Sequence, residues 1–219
     1  TTTLFVPRTN KPAYELMLNM DVATSGNTNK ITGTLKQKYR SALVSNSIVT
    51  LDRSAFSLTN PVPAGYLVNK GLYNIVLPAR ASQVGLVAAD YPQGDGVGTI
   101  TVTNVGKLSF VGTLADGTAV SSSSFLSKDR VALIFAQLYT NKAGSIGGLV
   151  TLNDTLPDSD VAGTNFFWFR PWQNVQHYPW GWPEGIKVDL AGTKFAVPVG
   201  ASVLPLLPNQ TVDPLGSLN

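Results

Sequence analysis

Along Glu15 to Val22, Leu16, Leu18, Met20 and Val22 fall on one side of an extended chain while Glu15, Asn19 and Asp21 fall on the other. A period of two marks a half-buried strand. The same reasoning predicts strands over Thr2 to Arg8, Lys30 to Lys38, Ala42 to Leu51, Leu72 to Leu77, Val97 to Thr103, Lys107 to Leu114, Thr118 to Leu126, Val131 to Tyr139, Ser145 to Leu152 and Val161 to Phe169. Between two of them, Asp116-Gly117 predicts a two-residue hairpin with both central residues at positive φ, and Asn104-Val105-Gly106 predicts a slightly longer turn. No stretch of about a dozen residues keeps a 3.6-residue apolar stripe free of glycine or proline, so little helix is expected. The pattern predicts an all-β fold, an antiparallel meander of about eleven short strands closing as a β-barrel or β-sandwich, with a Pro-rich extended C-terminal tail.

A weak internal repeat runs at a period of about 130 residues. Leu4-Phe5-Val6, Asn10-Lys11, the strand through Leu18 and Met20, and Ile31-Thr32-Gly33-Thr34 recur in order. Their counterparts are Ile134-Phe135-Ala136, Asn141-Lys142, the strand through Val150 and Leu152, and Val161-Ala162-Gly163-Thr164. All-β chains reuse turn chemistry, so coincidence among similar hairpins is the competing explanation. Taken as real, the repeat divides the chain into residues 1–60 as the second half of a β-module, 61–170 as a complete β-module, and 171–219 as an aromatic loop and Pro-rich tail. The chain would then open in the middle of a module. Because Thr1 stands where a methionine would, the sequence is expected to be a processed form or a piece of something longer.

Composition narrows the chemistry. Cysteine is absent, which excludes disulfides, thiol catalysis and cysteine-ligated metals. Charged residues make up 13%, where about 25% is usual, and 16 Lys+Arg against 13 Asp+Glu leave a formal charge of only +3. That balance reflects scarce charge rather than a basic surface, and no nucleic-acid partner is expected. No apolar run reaches the ~18 to 20 residues of a membrane-spanning helix, so membrane insertion is not expected. One histidine, His177, and two glutamates, Glu15 and Glu184, offer little for proton transfer, and no catalytic residue is assigned.

Several strings resemble a known family: Pro92-Gln93-Gly94-Asp95-Gly96-Val97-Gly98-Thr99, then Gly112-Thr113-Leu114-Ala115-Asp116-Gly117-Thr118, then Leu126-Ser127-Lys128-Asp129. The likeness extends through Leu138-Tyr139, Gly144-Ser145, Gly163 and Trp168-Phe169-Arg170-Pro171 to Val203-Leu204-Pro205-Leu206. The family is the β-rich module of large surface or secreted proteins in verrucomicrobial and related environmental bacteria. Its members generally have no assigned activity, so the resemblance implies an extracellular or cell-surface β-module and carries over no catalytic residue. The Trp-rich segment after Pro171 departs from the family pattern.

Three constellations could carry chemistry. Asp90 and Asp95 lie among Gly94, Gly96 and Gly98, while Asp154, Asp158 and Asp160 flank Pro157. Neither spacing matches a calcium loop, so tight glycine turns and solvated carboxylates are expected, with no metal and no cofactor. Lys36, Lys38 and Arg40 alternate along one strand; a row tracking phosphates is weighed there against charges that discourage edge pairing, and the latter is preferred. The strongest is aromatic. Eight of the 20 aromatic residues, including all four tryptophans, lie between 166 and 182. Phe166 with Trp168 and Phe167 with Phe169 occupy both faces of one strand, predicted to be covered on both sides. Trp172, Tyr178, Trp180 and Trp182 sit among Pro171, Pro179, Gly181 and Pro183 and form the candidate binding or interface site. Such a loop can act as a lid on the core, plug a pocket on a neighbouring protein, or stack on sugar rings.

The function expected is that of a non-enzymatic extracellular structural or adhesive module, assembling through strand or tail exchange between copies. Its expected partners are other copies of itself or neighbouring domains of a larger surface protein. The alternative is a carbohydrate-binding module that uses the Trp-rich loop on a polysaccharide.

Overall fold

The computed structural model of the chain describes residues 2–9, 11–20, 30–39, 42–78, 80, 91–153 and 159–194. Among the described residues, alternating side chains and short turns give twelve antiparallel strands in two sheets, so the fold is all-β. The first sheet holds β1 (Thr2–Val6), β2 (Tyr14–Met20), β3 (Lys30–Tyr39) and β4 (Ala42–Asp52), in that order. The second comprises β5 (Leu72–Leu77), β6 (Gly96–Val102), β7 (Lys107–Thr113), β8 (Ala119–Phe125), β9 (Val131–Leu138), β10 (Gly144–Leu152), β11 (Val161–Arg170) and β12 (Trp182–Lys194). Its order is β8-β7-β6-β5-β12-β11-β10-β9. The two end strands nearly close the sheet into a barrel through a side chain: Ser122 Oγ donates to the Phe135 carbonyl at 2.9 Å and accepts from the Phe135 N–H at 3.1 Å.

Inward positions fill the barrel. Tyr73, Ile100, Leu108 and Phe110 from one half meet Ile134, Ile146, Phe166 and Trp168 from the other, all fully buried. The segment between the sheets closes one side: Val62 is buried, its N–H donates to Asn104 O at 2.8 Å, and Phe56 packs against Gly106. Ser54 bridges to Ser127, and Lys30 lies 3.6 Å from Asp129, tying the first sheet to the rim of the barrel.

Three local expectations are corrected. First, the segment expected as loop and tail after Pro171 contains a strand of 13 residues, β12, between β5 and β11 in the middle of the sheet. Pro183 and Gly185 hide its alternation. They lie where the β11–β12 register slips between Trp168↔Ile186 and Arg170↔Trp182, so the missing proline N–H falls at a break in the ladder. Second, the Asp116-Gly117 turn has only Gly117 at positive φ (+84°). Leu114 N–H donates to Thr118 O across three residues, and Asn104-Val105-Gly106 makes the same turn with Gly106 at +76°. Both are type I turns closed by a glycine bulge, so the first is one residue longer than the expected two-residue hairpin and the second is the slightly longer turn expected. Third, β11 is covered on one face only: Phe166 and Trp168 are buried, but Phe167 is 47% exposed.

The two sheets repeat each other in register. Thr2 pairs with Leu18 as Ala132 pairs with Val150; Leu4 with Leu16 as Ile134 with Gly148; Val6 with Tyr14 as Ala136 with Ile146. Met20 pairs with Ile31 as Leu152 does with Val161. At the two equivalent glycines, Gly33 and Gly163, an added Cβ would strike the carbonyl of the adjacent strand, at Met17 and Leu149 respectively. So β1–β4 has the arrangement of β9–β12, the second half of the barrel. The environments differ completely, since no described residue of β1–β4 is buried on either face.

Candidate functional site

The aromatic loop is built outward from Arg170, the last residue of β11, whose side chain turns into the end of the barrel and is buried. A cation there needs a counter-charge and satisfied donors. The β7–β8 turn supplies the charge: Arg170 Nε lies 3.2 Å from Asp116 Oδ2, though not aligned as a hydrogen bond. Asp116 is held by the Thr118 N–H at 2.9 Å and the Tyr139 hydroxyl at 2.9 Å, and that hydroxyl accepts from Trp168 Nε1 at 2.9 Å. Burial first, and the neighbouring Asp116 carboxylate second, push the Tyr139 phenol well above its ordinary range.

The other guanidinium nitrogens grip the loop. Nη1 donates to the Tyr178 carbonyl; Nη2 donates to Gln173 Oε1 at 3.2 Å and to the His177 carbonyl at 3.3 Å. The rings of Trp182, Tyr178 and Tyr139 stand 5.3, 5.7 and 5.8 Å from the guanidinium carbon. The result is an aromatic cage already filled by the protein's own arginine.

The four candidate residues therefore divide. Trp182, expected in the loop, opens β12 and is 3% exposed, edge-on to Trp168 with centroids 4.6 Å apart. It is a core residue. Tyr178 is half-buried and packs against that core. Trp172 and Trp180 are 61% and 67% exposed. The loop carrying them is closed by Gln173 N–H to Pro179 O at 2.9 Å and Gly181 N–H to Tyr178 O at 3.1 Å, with Gly181 at φ +60°. Two rigid indole faces are thus offered to solvent from a loop fixed at its root.

A second aromatic surface was not anticipated. On the outside of the barrel, Gly147 of β10 lies abreast of Phe135 on β9 and Phe167 on β11. The exposed Phe135 ring leans over the glycine, where a Cβ would stand 3.0 Å from Cδ2, and a shallow groove runs from Gly147 and the Phe167 ring past Leu149 to Thr164. Phe167 stacks on Phe169 at 6.2 Å, and the Lys187 ammonium stands 5.5 Å over its ring. The available signal was Gly147 in register with two aromatics, which becomes visible only once strand pairing is known.

The remaining candidates are absorbed structurally. Lys36 and Lys38 lie on β3, which is flanked by β2 and β4 and is no edge strand, so the expectation of an edge-protecting role is corrected. Lys38 Nζ donates to Glu15 Oε2 at 2.7 Å, and that hydrogen bond holds the Glu15 carboxyl below its ordinary value. Gly96 and Gly98 lie where β6 closely approaches β7. Asp160 accepts from the Lys194 N–H at 2.8 Å and pairs with its ammonium at 3.2 Å. Arg40, Asp90, Asp154, Asp158 and the Pro-rich tail lie outside the described residues. Among the described residues no three acidic or histidine side chains converge on a metal position, and no helix is long and apolar enough to cross a membrane.

The class these features define is a β-barrel module with a second, open half-barrel sheet and exposed aromatics. Comparison with protein-family models, with curated proteins and with solved structures finds no match.

Proposed function

We propose that the chain is a non-enzymatic structural module of an extracellular or cell-surface assembly, joined to other β-modules through the open β1–β4 sheet. One observation carries this reading: a sheet with the register of a barrel half leaves Leu4, Val6 and Leu51 exposed, beside a barrel that buries their counterparts. An apolar sheet face whose two edges carry no strand among the described residues is a strong site for association. The titratable groups gathered at this end of the barrel, Asp116, Tyr139 and Arg170, are spent on locking the loop, which supports a structural role. In isolation, copies associate through the same face. Sedimentation velocity checks this: the intact chain is expected to self-associate, and a Leu16→Lys, Leu18→Lys chain to remain monomeric with its barrel folded. A monomer at every accessible concentration would remove self-assembly between copies.

A second reading is favoured by the exposure of Trp172 and Trp180: polysaccharide binding by stacking on the two indoles. Retention on polysaccharide columns, lost in Trp172→Ala, Trp180→Ala and unchanged in Leu16→Lys, Leu18→Lys, would establish it. Equal elution of all three chains would end it.

A further inference from the structure

We infer that the apolar face of the β1–β4 sheet receives a four-stranded half-sheet of the β5–β8 kind from a neighbouring β-module, completing a second barrel. This rests on reading the chain as a module joined to others, and adds the identity of the partner.

The barrel itself supplies the template. There β9–β12 is covered by β5–β8 through one face and two edges. The face is apolar, with Tyr73, Ile100, Leu108 and Phe110 as the covering side chains. One edge is the ladder of β12 with β5, Ala191↔Val76 through Lys194↔Tyr73. The other is the Ser122 seam on Phe135 of β9. In β1–β4 all three counterparts are open. Leu4, Val6, Leu16, Leu18, Ile31 and Leu51 share the equivalent face by register. Among the described residues β4, the counterpart of β12, has no strand on its outer side, and neither has β1, where Phe5 occupies the position of Phe135.

Charge points the same way. Arg8 lies at the end of this face, its guanidinium 4.4 Å over the Tyr14 ring, and its Nη1 is shielded from solvent without a hydrogen-bond partner. At the corresponding end of the barrel, the β7–β8 turn of the covering half delivers the carboxylate of Asp116. A β5–β8-type half would bring an acceptor to the arginine. A second copy cannot supply that half without opening its own barrel, because its β5–β8 already covers its β9–β12. It can offer only its own β1–β4 face, which would bury two arginines and no carboxylate from this turn.

The register names the junction for a test. Thr2 corresponds to Ala132, so a second copy of residues 55–130 placed directly before Thr1 reproduces the passage from Arg130 into β9. Hydrogen exchange is measured on the intact chain, on the extended chain, and on an extended chain carrying Ile100→Asp and Phe110→Asp in the added copy only. Amides of Leu4, Leu16, Leu18, Ile31 and Leu51 are expected to gain at least about 100-fold protection in the extended chain and to lose it with the two aspartates. Amides of β6 and β11 in the native barrel report that folding is intact throughout. No gain in the extended chain overturns the inference, even where the intact chain self-associates. A gain alongside an intact chain that is monomeric upholds it while removing self-assembly. Protection that appears on concentrating the intact chain and rises no further on extension assigns the face to a second copy and overturns it.

Discussion

The sheets β1–β4 and β9–β12 have the same strand order and matching registers, yet one buries most of its inward side chains and the other buries none among the described residues. The comparison separates two things that usually arrive together. Register comes from local pattern: alternation, turn length and a glycine, Gly33 or Gly163, wherever the neighbouring carbonyl comes too close for a Cβ. Burial comes from the facing half. A half-barrel can therefore be written in sequence without being stabilised by anything next to it, and the energetic weight of equivalent positions should differ sharply between the halves.

The largest expected effect tests that difference directly. Phe166 and Leu35 occupy equivalent inward positions, opposite Gly148 and Leu16 respectively. Phe166→Ala should cost about 3 to 5 kcal/mol in denaturant unfolding of the barrel, since it removes a buried ring and leaves a cavity. Leu35→Ala, on the open sheet, should cost less than about 1 kcal/mol at concentrations low enough to keep the chain monomeric. Similar losses at both sites under those conditions would mean that β1–β4 is covered within the monomer.

The polar end of the barrel has no described counterpart in the first sheet, and it supplies the next effects in size. Arg170→Met should destabilise by about 3 kcal/mol, because it strands the buried Asp116 carboxylate. Adding Asp116→Asn should recover part of that loss, since the charge is then gone while the Thr118 and Tyr139 contacts can persist. A smaller effect appears in the pH dependence. The Tyr139 phenol is raised in the folded state above its ordinary 10.0, so its contribution is fully present below about pH 10. It is lost as pH climbs further, because the unfolded chain ionises there and the folded chain does not. Unfolding midpoints of the native chain should therefore fall more steeply above pH 10 than those of Tyr139→Phe. Parallel slopes would show that the phenol is not held in the network.

Much of this architecture was legible from residues alone. Eleven of the strands announce themselves by alternation, and the repeat by Asn-Lys and Gly-Thr pairs at matching places. What escaped has tertiary causes. β12 was hidden because Pro183 and Gly185 are tolerated only at its register slip against β11. That β11 departs from β3 after Thr164 depends on Asn165, at φ +57°, whose N–H is accepted by Asp189 at 3.0 Å while Arg80 holds the same carboxylate. Nothing local in Thr164-Asn165 signals this. For the same reason Trp182 was grouped with Trp172 and Trp180: composition puts the three together, and only strand pairing sorts one into the core and leaves two outside.

The smallest effect decides which face of the open sheet is covered. Glu15 and Lys36 are cross-strand neighbours, with Lys38 reaching the same carboxylate, and by register they occupy the positions of Gly147 and Phe167 on the outside of the barrel. If a partner covers the opposite, Leu16 face, Glu15 stays in water beside its lysine. Its carboxyl should then remain below the ordinary 4.5, and its contribution to folding should stay present above that value and be lost as pH falls below it. If the partner instead covers the Glu15 face, desolvation must push the carboxyl upward. Carbon-detected NMR titration of Glu15 in the free chain, in the chain extended by residues 55–130 and in Lys38→Met separates the cases. The first two should titrate together below 4.5, and the third should move back toward it. A rise confined to the extended chain would place the added half on the wrong side of the sheet, and the correspondence between β1–β4 and β9–β12 would then hold in register but not in which face turns inward.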